Sequence, residues 1–185
     1  MFVADLVTQV PDALFVSGLG SSSYDLYAAG DRDLNFYLWG AMGGSVAVGL
    51  GLALAQPDRP VIALTGDGEQ LMGVGSLATV AARKPSNLTV VVLDNGHFGE
   101  TGMQQSHTSL GTDLAAVARG FGIASVHQII DHDQLTALVG SVAARSGPTF
   151  AQVLISRDEP PRAMPNRDGV FVKNRFRRAL GFEPF

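Results

Sequence analysis

Short apolar runs alternate with segments of helical spacing along this chain. Residues 61–64 form one apolar run, which ends at Gly66-Asp67-Gly68, and residues 88–93 form another, which ends at Asp94-Asn95-Gly96. Uninterrupted runs of this length are typical of parallel strands that are buried on both faces. Between them, residues 69–83 carry apolar side chains at helical spacing. This pattern predicts a strand–helix–strand unit.

The same alternation extends over most of the chain. It predicts further strands at residues 13–16, within 123–130 and at 148–155, and further helices at 42–55, from a cap at Thr112 or Asp113 to Ala118, and at 131–145. Alternating strands and helices predict an α/β fold of three layers, in which a doubly wound, mostly parallel sheet lies between helices. Ligands of such sheets bind at the carboxyl ends of the strands.

The composition sets limits on the class of protein. The 185 residues are enough for one ordinary domain, and a chain that is 46% hydrophobic and 16% charged can bury a core. The absence of cysteine excludes disulfides, thiolate metal sites, iron–sulfur clusters and a cysteine nucleophile. Neither a secretory signal nor an apolar stretch of about 20 residues is visible, so we expect a cytoplasmic protein without a membrane span.

Charge is distributed unevenly along the chain. The net charge of −4 divides into +3 for residues 157–185 and −7 for residues 1–156. We therefore predict a binding domain at 1–156 and a basic C-terminal tail at 157–185. The tail either belongs to the same domain as a solvated segment or docks a partner, where it could also attract an anionic substrate. The acidic body argues against nucleic acid binding.

Two polar residues lie at predicted strand ends, where the sheet is expected to bind a ligand. Asp67 and Asn95 are 28 positions apart and each follows a predicted strand. If these strands are neighbours, a carboxylate and an amide oxygen meet at one edge of the sheet, and such oxygens suit Mg²⁺. The amides of Gly68 and Glu69, at the start of a helix, can face a phosphate. Each motif alone is more often a simple turn, but together they predict a magnesium–diphosphate site.

These motifs resemble those of a known family. Gly66-Asp67-Gly68 followed by Asn95 resembles the signature of enzymes that depend on thiamine diphosphate (ThDP). Residues 39–43 (Trp-Gly-Ala-Met-Gly) resemble the segment that holds the aminopyrimidine ring, and residues 93–99 resemble the magnesium loop of 2-oxoacid decarboxylases. Within the family, residues 40–43, 75–79 and 101–104 are similar to segments of the sulfopyruvate decarboxylase β subunit and of the C-terminal half of phosphonopyruvate decarboxylase.

The resemblance implies a role for each matching residue. The Mg²⁺ ligands would be Asp67, the side chain of Asn95 and the main-chain carbonyl of His97. The Gly40 carbonyl would accept a hydrogen bond from the 4′-amino group, and Met42 would wedge beneath the cofactor with a catalytic role in its bent geometry. The remaining cofactor-binding residues would be Gly20, Ser21, Ser22, Gly66, Gly68, Glu69 and Phe98.

A few residues near this site allow more than one interpretation. Glu100 is a candidate catalytic residue, as a proton donor or substrate contact, although a solvated loop glutamate is the simpler interpretation. Gln104, Gln105 and Thr108 are candidates for lining the substrate channel. Asp94 departs from the family pattern, in which many relatives have Asn, but it precedes the predicted ligand and we expect it to leave the cation site intact.

The resemblance implies the fold of the ThDP-binding (PP) domain and a function. The chain would be the cofactor-binding subunit of a ThDP- and Mg²⁺-dependent decarboxylase of a small anionic 2-oxoacid such as sulfopyruvate or phosphonopyruvate. The catalytic glutamate of the family belongs to a pyrimidine-binding (PYR) domain, so a separate PYR subunit is expected, together with a dimer of this chain in a hetero-oligomer. The chain alone would be inactive. The alternatives are the β subunit of a ThDP-dependent synthase or oxidoreductase, and a non-catalytic ThDP-binding module.

Overall fold

The computed structural model describes residues 2–158 and 160–183, which form one parallel sheet, a small hairpin and surrounding helices. The strands in chain order are β1 (Leu14–Ser17), β2 (Asn35–Tyr37), β3 (Val61–Gly66), β4 (Leu88–Asp94), β5 (His97–Phe98), β6 (Gln104–Gln105), β7 (Ser125–Ile129) and β8 (Thr149–Leu154). Strands β5 and β6 pair as the antiparallel hairpin. The others form the sheet in the order β2-β1-β3-β4-β8-β7, and each neighbouring pair is parallel.

Helices cover both faces of this sheet. They are α1 (Phe2–Gln9), α2 (Ser21–Ala28), α3 (Ser45–Ala55), α4 (Asp67–Met72), α5 (Gly75–Arg83), α6 (Leu114–Gly120), α7 (Leu135–Ala144) and α8 (Gly169–Ala179). Side chains of β3 alternate between the two faces, so that Ile62 and Leu64 enter the core beneath α1, α2 and α7, whereas Val61 and Ala63 enter the core beneath α3, α5, α6 and α8. This arrangement confirms the predicted three-layer, doubly wound α/β fold.

The strand order creates a crevice at the carboxyl edge. Strand β1 lies between β2 and β3, so the chain leaves β1 toward one face of the sheet, through α2, and leaves β3 toward the other, through α4 and α5. Connections that diverge in this way open a ligand crevice between the two strand ends. The loops at Gly18–Gly20 and Gly66–Gly68 therefore flank this crevice.

Glycine geometry corrects two predicted helices. The helix predicted at 69–83 is two helices, α4 and α5, which are separated at Gly73-Val74. A Cβ atom on Gly73 would overlap the Gly43 carbonyl oxygen, so the break allows these two segments to approach closely. The helix predicted at 42–55 begins only at Ser45, because Gly43 has a φ of +86°.

The predicted helix at 131–145 is a 3₁₀ turn (His132–Gln134) followed by α7.

The predicted basic tail contains helix α8. Asp168 caps its N-terminus, and Phe176, which is buried, meets Phe36 of β2 with ring centroids 5.6 Å apart. Arg175 donates to Asp31 at 2.5 Å and to the Asn35 carbonyl at 3.1 Å. Residues 169–179 thus pack on the sheet, while partner docking by the tail stays a prediction. Pro184 and Phe185 of the tail lie outside the described residues, as do Met1 and Glu159.

None of the helices formed within residues 2–158 and 160–183 has the length and apolar character needed to cross a bilayer.

Candidate cofactor site

Asp67 stands at the carboxyl end of β3. The pairing of Gly66 with Leu93 places the residues that follow β3 and β4 at the same edge of the sheet, so Asp67 and Asn95 emerge there together. Asp67 is 2% exposed and begins α4. The hydroxyls of Ser106 and Thr108 both contact its Oδ2, the latter at 3.1 Å. Neither hydroxyl contacts Oδ1, and the role of Asp67 as a cation ligand stays a prediction.

A second buried carboxylate lies beside Asp67. Asp94 Oδ1 accepts from the Thr108 hydroxyl at 2.8 Å and from the Gly96 amide at 2.9 Å, and its Oδ2 accepts from Gln152 at 2.7 Å. Burial raises the pKa of Asp67, and the charge of Asp94 raises it further, whereas the hydrogen bond from Ser106 opposes the shift. The residue that departs from the family pattern therefore acts electrostatically on the predicted metal ligand.

Asn95 begins the loop that leads to the β5–β6 hairpin. Its Oδ1 accepts from the His97 amide at 2.9 Å, and His97 Nδ1 lies 2.9 Å from the Asn95 carbonyl oxygen. The residue is half-buried and lines a cavity of about 530 Å³ together with Ser21 and Glu100. The loop thus brings the Asn95 side chain and the His97 backbone close to one another, and their metal-binding roles remain predictions.

The loop after β1 supplies the other wall of the crevice. Gly20 has a φ of +76°, and a Cβ atom there would also overlap the Glu100 side chain. Helix α2 starts at Ser21, and the buried Ser22 follows. The first amides of α2 and α4 both face the carboxyl edge, since each helix leaves the end of a parallel strand. Such N-terminal amides attract a phosphate.

Gly68 lies directly beneath the Phe98 ring. A Cβ atom on Gly68 would overlap Phe98 Cε1, so only glycine allows the hairpin to approach the start of α4 this closely. This contact places the predicted cofactor-binding residues Gly66, Gly68 and Phe98 in one location. Residue 68 is thus constrained by packing as well as by any contact of its amide with a phosphate.

The segment predicted to hold the pyrimidine ring lies on the surface. Gly40 has a φ of +72°, and a Cβ atom there would have no neighbour within 4 Å. Met42 is 38% exposed. The segment is anchored on both sides, because Trp39 Nε1 donates to the Asn166 carbonyl at 3.2 Å and the Gly43 amide donates to Glu69 Oε1 at 3.2 Å. Its exposed positions are therefore open to a cofactor or a partner.

Glu100 is held by two partners. Its Oε2 accepts from the Tyr24 hydroxyl at 3.3 Å, and Oε1 lies 3.7 Å from Arg162. Arg162 also stacks on the Tyr24 ring, 5.8 Å from its centroid. Burial and the nearby Glu100 raise the pKa of Tyr24. Glu100 is exposed despite these contacts, which agrees with a solvated loop residue, and its catalytic role stays a prediction.

Four residues at the site escaped the sequence interpretation or have another role. Ser106, Tyr24 and Arg162 carried no signal in the chain, since each reaches the edge through a tertiary contact. Thr108, expected to line a substrate channel, contacts both Asp67 and Asp94, and its place in a channel stays a prediction.

The residues at this edge fit a magnesium-bound diphosphate. The cation ligands would be a carboxylate, an amide oxygen and a main-chain carbonyl, which is a hard-oxygen donor set. Within residues 2–158 and 160–183 no three His, Cys, Asp or Glu side chains form a metal cluster, so phosphate oxygens would complete the coordination. Two helix N-termini, with Gly20 and Gly68 in them, place backbone amides at the edge where those phosphates would bind.

Comparison with known proteins identifies the family. Residues 19–153 match the family described as "Thiamine pyrophosphate enzyme, C-terminal TPP binding domain". The chain is 46% identical over 151 residues to phosphonopyruvate decarboxylase of Streptomyces viridochromogenes, which covers 81% of this chain and 38% of that protein. It is 35% identical over 178 residues to sulfopyruvate decarboxylase subunit beta of Methanococcus maripaludis, covering 95% of this chain and 93% of that subunit.

A solved structure supports the same family. A putative thiamin diphosphate-dependent enzyme of Mycobacterium smegmatis matches with a TM-score of 0.71 at 27% identity, over 84% of this chain and 31% of that one. The chain spans well under half the length of that enzyme and of the phosphonopyruvate decarboxylase. These matches confirm the predicted family, and ThDP with Mg²⁺ is the cofactor that they support. The chain belongs to the thiamine pyrophosphate enzymes and corresponds to their C-terminal, TPP-binding domain.

Proposed function

We propose that this chain is the cofactor-binding subunit of a ThDP- and Mg²⁺-dependent decarboxylase of a small 2-oxoacid that carries a second anionic group. One observation carries the proposal: Asp67 and Asn95 emerge at the same sheet edge, in a chain that aligns over nearly its full length with a sulfopyruvate decarboxylase β subunit. Sulfopyruvate and phosphonopyruvate are the substrates that the relatives' names suggest. The same relatives favour decarboxylation over the synthase and oxidoreductase alternatives.

Each predicted site residue has a defined task in this proposal. Asp67, Asn95 and the His97 carbonyl hold Mg²⁺, and amides around Gly68 and Ser21 hold the diphosphate. When bound, ThDP supplies the nucleophilic carbon and the electron sink that decarboxylation requires. The Gly40 carbonyl would accept a hydrogen bond from the aminopyrimidine, and Met42 would support the cofactor from beneath.

A separate PYR subunit completes the proposed enzyme. In this family the glutamate that activates the pyrimidine belongs to the PYR domain, and the sulfopyruvate decarboxylase relative that aligns with 95% of this chain is by name one subunit of its enzyme. The purified chain should therefore show negligible turnover. Glu69 is not a substitute, because its carboxylate is buried among groups of its own domain.

An uncharged helical surface supports contact with another subunit. No Asp, Glu, Lys or Arg occurs in α3, or between Gln70 and Ala82. Val48 and Leu54 of α3 and Met72 of α4, which is 68% exposed, present apolar side chains to the outside. Exposed apolar patches of this kind commonly mark protein interfaces. We propose that this surface forms the dimer of TPP-binding subunits within a hetero-oligomer.

The direct test is reconstitution with a PYR subunit. We expect the mixture with ThDP and Mg²⁺ to release CO₂ and an aldehyde from sulfopyruvate or phosphonopyruvate, and each subunit alone to release neither. Asp67→Ala should abolish activity, whereas Asp58→Ala, which removes an exposed carboxylate, should not. Transfer of the two-carbon unit to an acceptor without aldehyde release would support a synthase instead. Robust decarboxylation by the pure 185-residue chain would contradict the need for a partner.

A further inference from the structure

The side chain of Glu69 is buried beside the predicted diphosphate cradle. Glu69 is the third residue of α4 and is 4% exposed. Its Oε2 accepts from the Thr65 hydroxyl at 2.8 Å, and its Oε1 accepts from the Gly43 amide at 3.2 Å. The sequence predicts a role for the Glu69 amide, which can face a phosphate, and none for the Glu69 carboxylate.

The carboxylate also contacts the loop after β1. The Gly18 backbone passes so close that a Cβ atom there would overlap Oε2. Hydrogen bonds from the Leu19 amide and the Ser45 hydroxyl stabilise the charged form, while burial raises the pKa of Glu69. One side chain thus joins three segments: the loop after β1, the segment before α3 and the end of β3.

An ionised carboxylate at position 69 is energetically unfavourable. Burying a charge is unfavourable unless hydrogen bonds satisfy it, and a negative charge beside a diphosphate adds repulsion. Helix α3 offers partial compensation, because its N-cap is Gly44, which has no side chain to cap, and an anion near a helix N-terminus is favourable. What the Glu69 carboxylate adds beyond this compensation is the set of hydrogen bonds that connects the three segments around the site.

We propose that the Glu69 side chain is a positioning residue, which ties the segment carrying Gly40 and Met42 to the diphosphate loops at Gly18–Gly20 and Gly66–Gly68. The two ends of the cofactor contact different segments, and Glu69 keeps these segments in a fixed relation. The inference rests on the proposed function, since it concerns the same ThDP site.

A substitution at Glu69 should affect the binding of ThDP and of magnesium pyrophosphate differently. Magnesium pyrophosphate would contact the diphosphate loops alone. ThDP would contact these loops and also the segment that carries Gly40 and Met42. Glu69→Gln keeps the size of the side chain but cannot accept hydrogen bonds at both terminal atoms. Losing one such bond to a charged group should weaken ThDP binding about tenfold. Magnesium pyrophosphate should bind the variant equally well or more tightly, because a nearby negative charge is gone.

Binding can be measured directly on the full chain. Titration calorimetry gives Kd for both ligands, and the fluorescence of Trp39, the single tryptophan, reports on the residue next to Gly40. We expect Glu69→Gln to reduce the change in Trp39 fluorescence on ThDP binding. Gln70→Met is the matched control, since Gln70 is the buried neighbour in α4 and its amide has no partner in the described part of the chain.

A second variant displaces the carboxylate without altering it. Gly18→Ala should force Glu69 out of its position and weaken ThDP binding to a similar extent. In the double variant Gly18→Ala/Glu69→Ala the new methyl group has room, so its effect should be clearly smaller than the sum of the single effects.

The outcomes separate this inference from the proposed function. Equal losses of affinity for ThDP and magnesium pyrophosphate in Glu69→Gln, with a lowered Tm, would indicate general destabilisation and overturn the inference. Unchanged ThDP affinity in that variant, or strictly additive effects in the double variant, would overturn it as well. If the wild-type chain bound neither ligand, alone or together with the PYR subunit, the proposed function itself would fail.

Discussion

The carboxylates of Asp67 and Asp94 approach the same Thr108 hydroxyl, at 3.1 and 2.8 Å. The Ser106 hydroxyl contacts both Asp67 and Thr108. Four oxygen–oxygen contacts therefore share two hydroxyl hydrogens, so the network is short of protons when both carboxyls are ionised. A cation bound at Asp67 would relieve this shortage by neutralising charge.

Thr108→Val removes the shared hydroxyl at nearly constant volume. We expect Mg²⁺ affinity in the presence of ThDP to fall roughly tenfold, because Asp67 loses an orienting donor and the two carboxylates repel each other without it. Titration calorimetry with Mg²⁺ at saturating ThDP measures the effect. Thr108→Ser keeps the hydroxyl and is the control, and wild-type affinity in Thr108→Val would show that the bridge is not needed.

Cation affinity should depend on pH in a defined direction. Burial raises the pKa of Asp67 above the ordinary 3.8, so the carboxyl binds a proton at a higher pH than an exposed aspartate does. Since Mg²⁺ needs the ionised form, its affinity should fall as the pH is lowered through this raised pKa.

The same shift has the opposite sign for stability of the cation-free chain. Above the raised pKa, ionised Asp67 costs folding free energy, and this cost is progressively relieved as the pH falls through the raised value toward the unfolded-state pKa. Comparing the pH dependence of unfolding free energy between wild type and Asp67→Asn tests this. Indistinguishable slopes between the two proteins in the mildly acidic range would argue against a raised pKa.

Gly68→Ala should separate the packing role of this glycine from its helical position. The added methyl group overlaps Phe98, so we expect a loss of unfolding free energy of about 1–3 kcal/mol and much weaker ThDP binding. Gly75→Ala is the matched control, because Gly75 is also helical and has open space around it. That variant should be neutral or more stable by up to about 1 kcal/mol. Equal effects of the two substitutions would contradict the Phe98 contact.

The edge that carries Asp67 and Asn95 could be predicted because it depends on local signals. Strands β3 and β4 are buried on both faces and therefore appear as apolar runs, and the residue after each run is polar. Parallel pairing of consecutive strands then brings Asp67 and Asn95 to one edge. The outcome needed no knowledge of how distant segments pack.

The contacts of Thr108 and Glu69 could not be predicted in the same way. Thr108 reaches Asp67 through a loop whose course depends on positive φ at Gly96, Gly102 and Gly111 rather than on any periodicity. Glu69 contacts Gly43 and Gly18 across the sheet edge, and no periodicity in the chain indicates these contacts. Tertiary packing decided both positions.

Helix α8 was missed for a different reason. The basic residues of 157–185 suggested a solvated tail, yet Val172 and Phe176, four positions apart, form a narrow apolar stripe that is buried. The cap at Asp168 was the available signal. A short stripe of two residues is weak evidence in a sequence and becomes decisive only when the sheet offers Phe36 as a neighbour.

Phe176→Ala tests whether residues 169–179 contribute to the stability of the domain. Phe176 is 6% exposed and packs against Phe36, so truncation should cost about 3–5 kcal/mol of unfolding free energy. Phe171→Ala is the control from the same helix, because Phe171 is 46% exposed and its loss should cost less than about 1 kcal/mol. Chemical denaturation measures both. If Phe176→Ala were as stable as wild type but failed to bind the PYR subunit, the segment would serve docking rather than the fold, since its buried contact with β2 would then contribute nothing to folding.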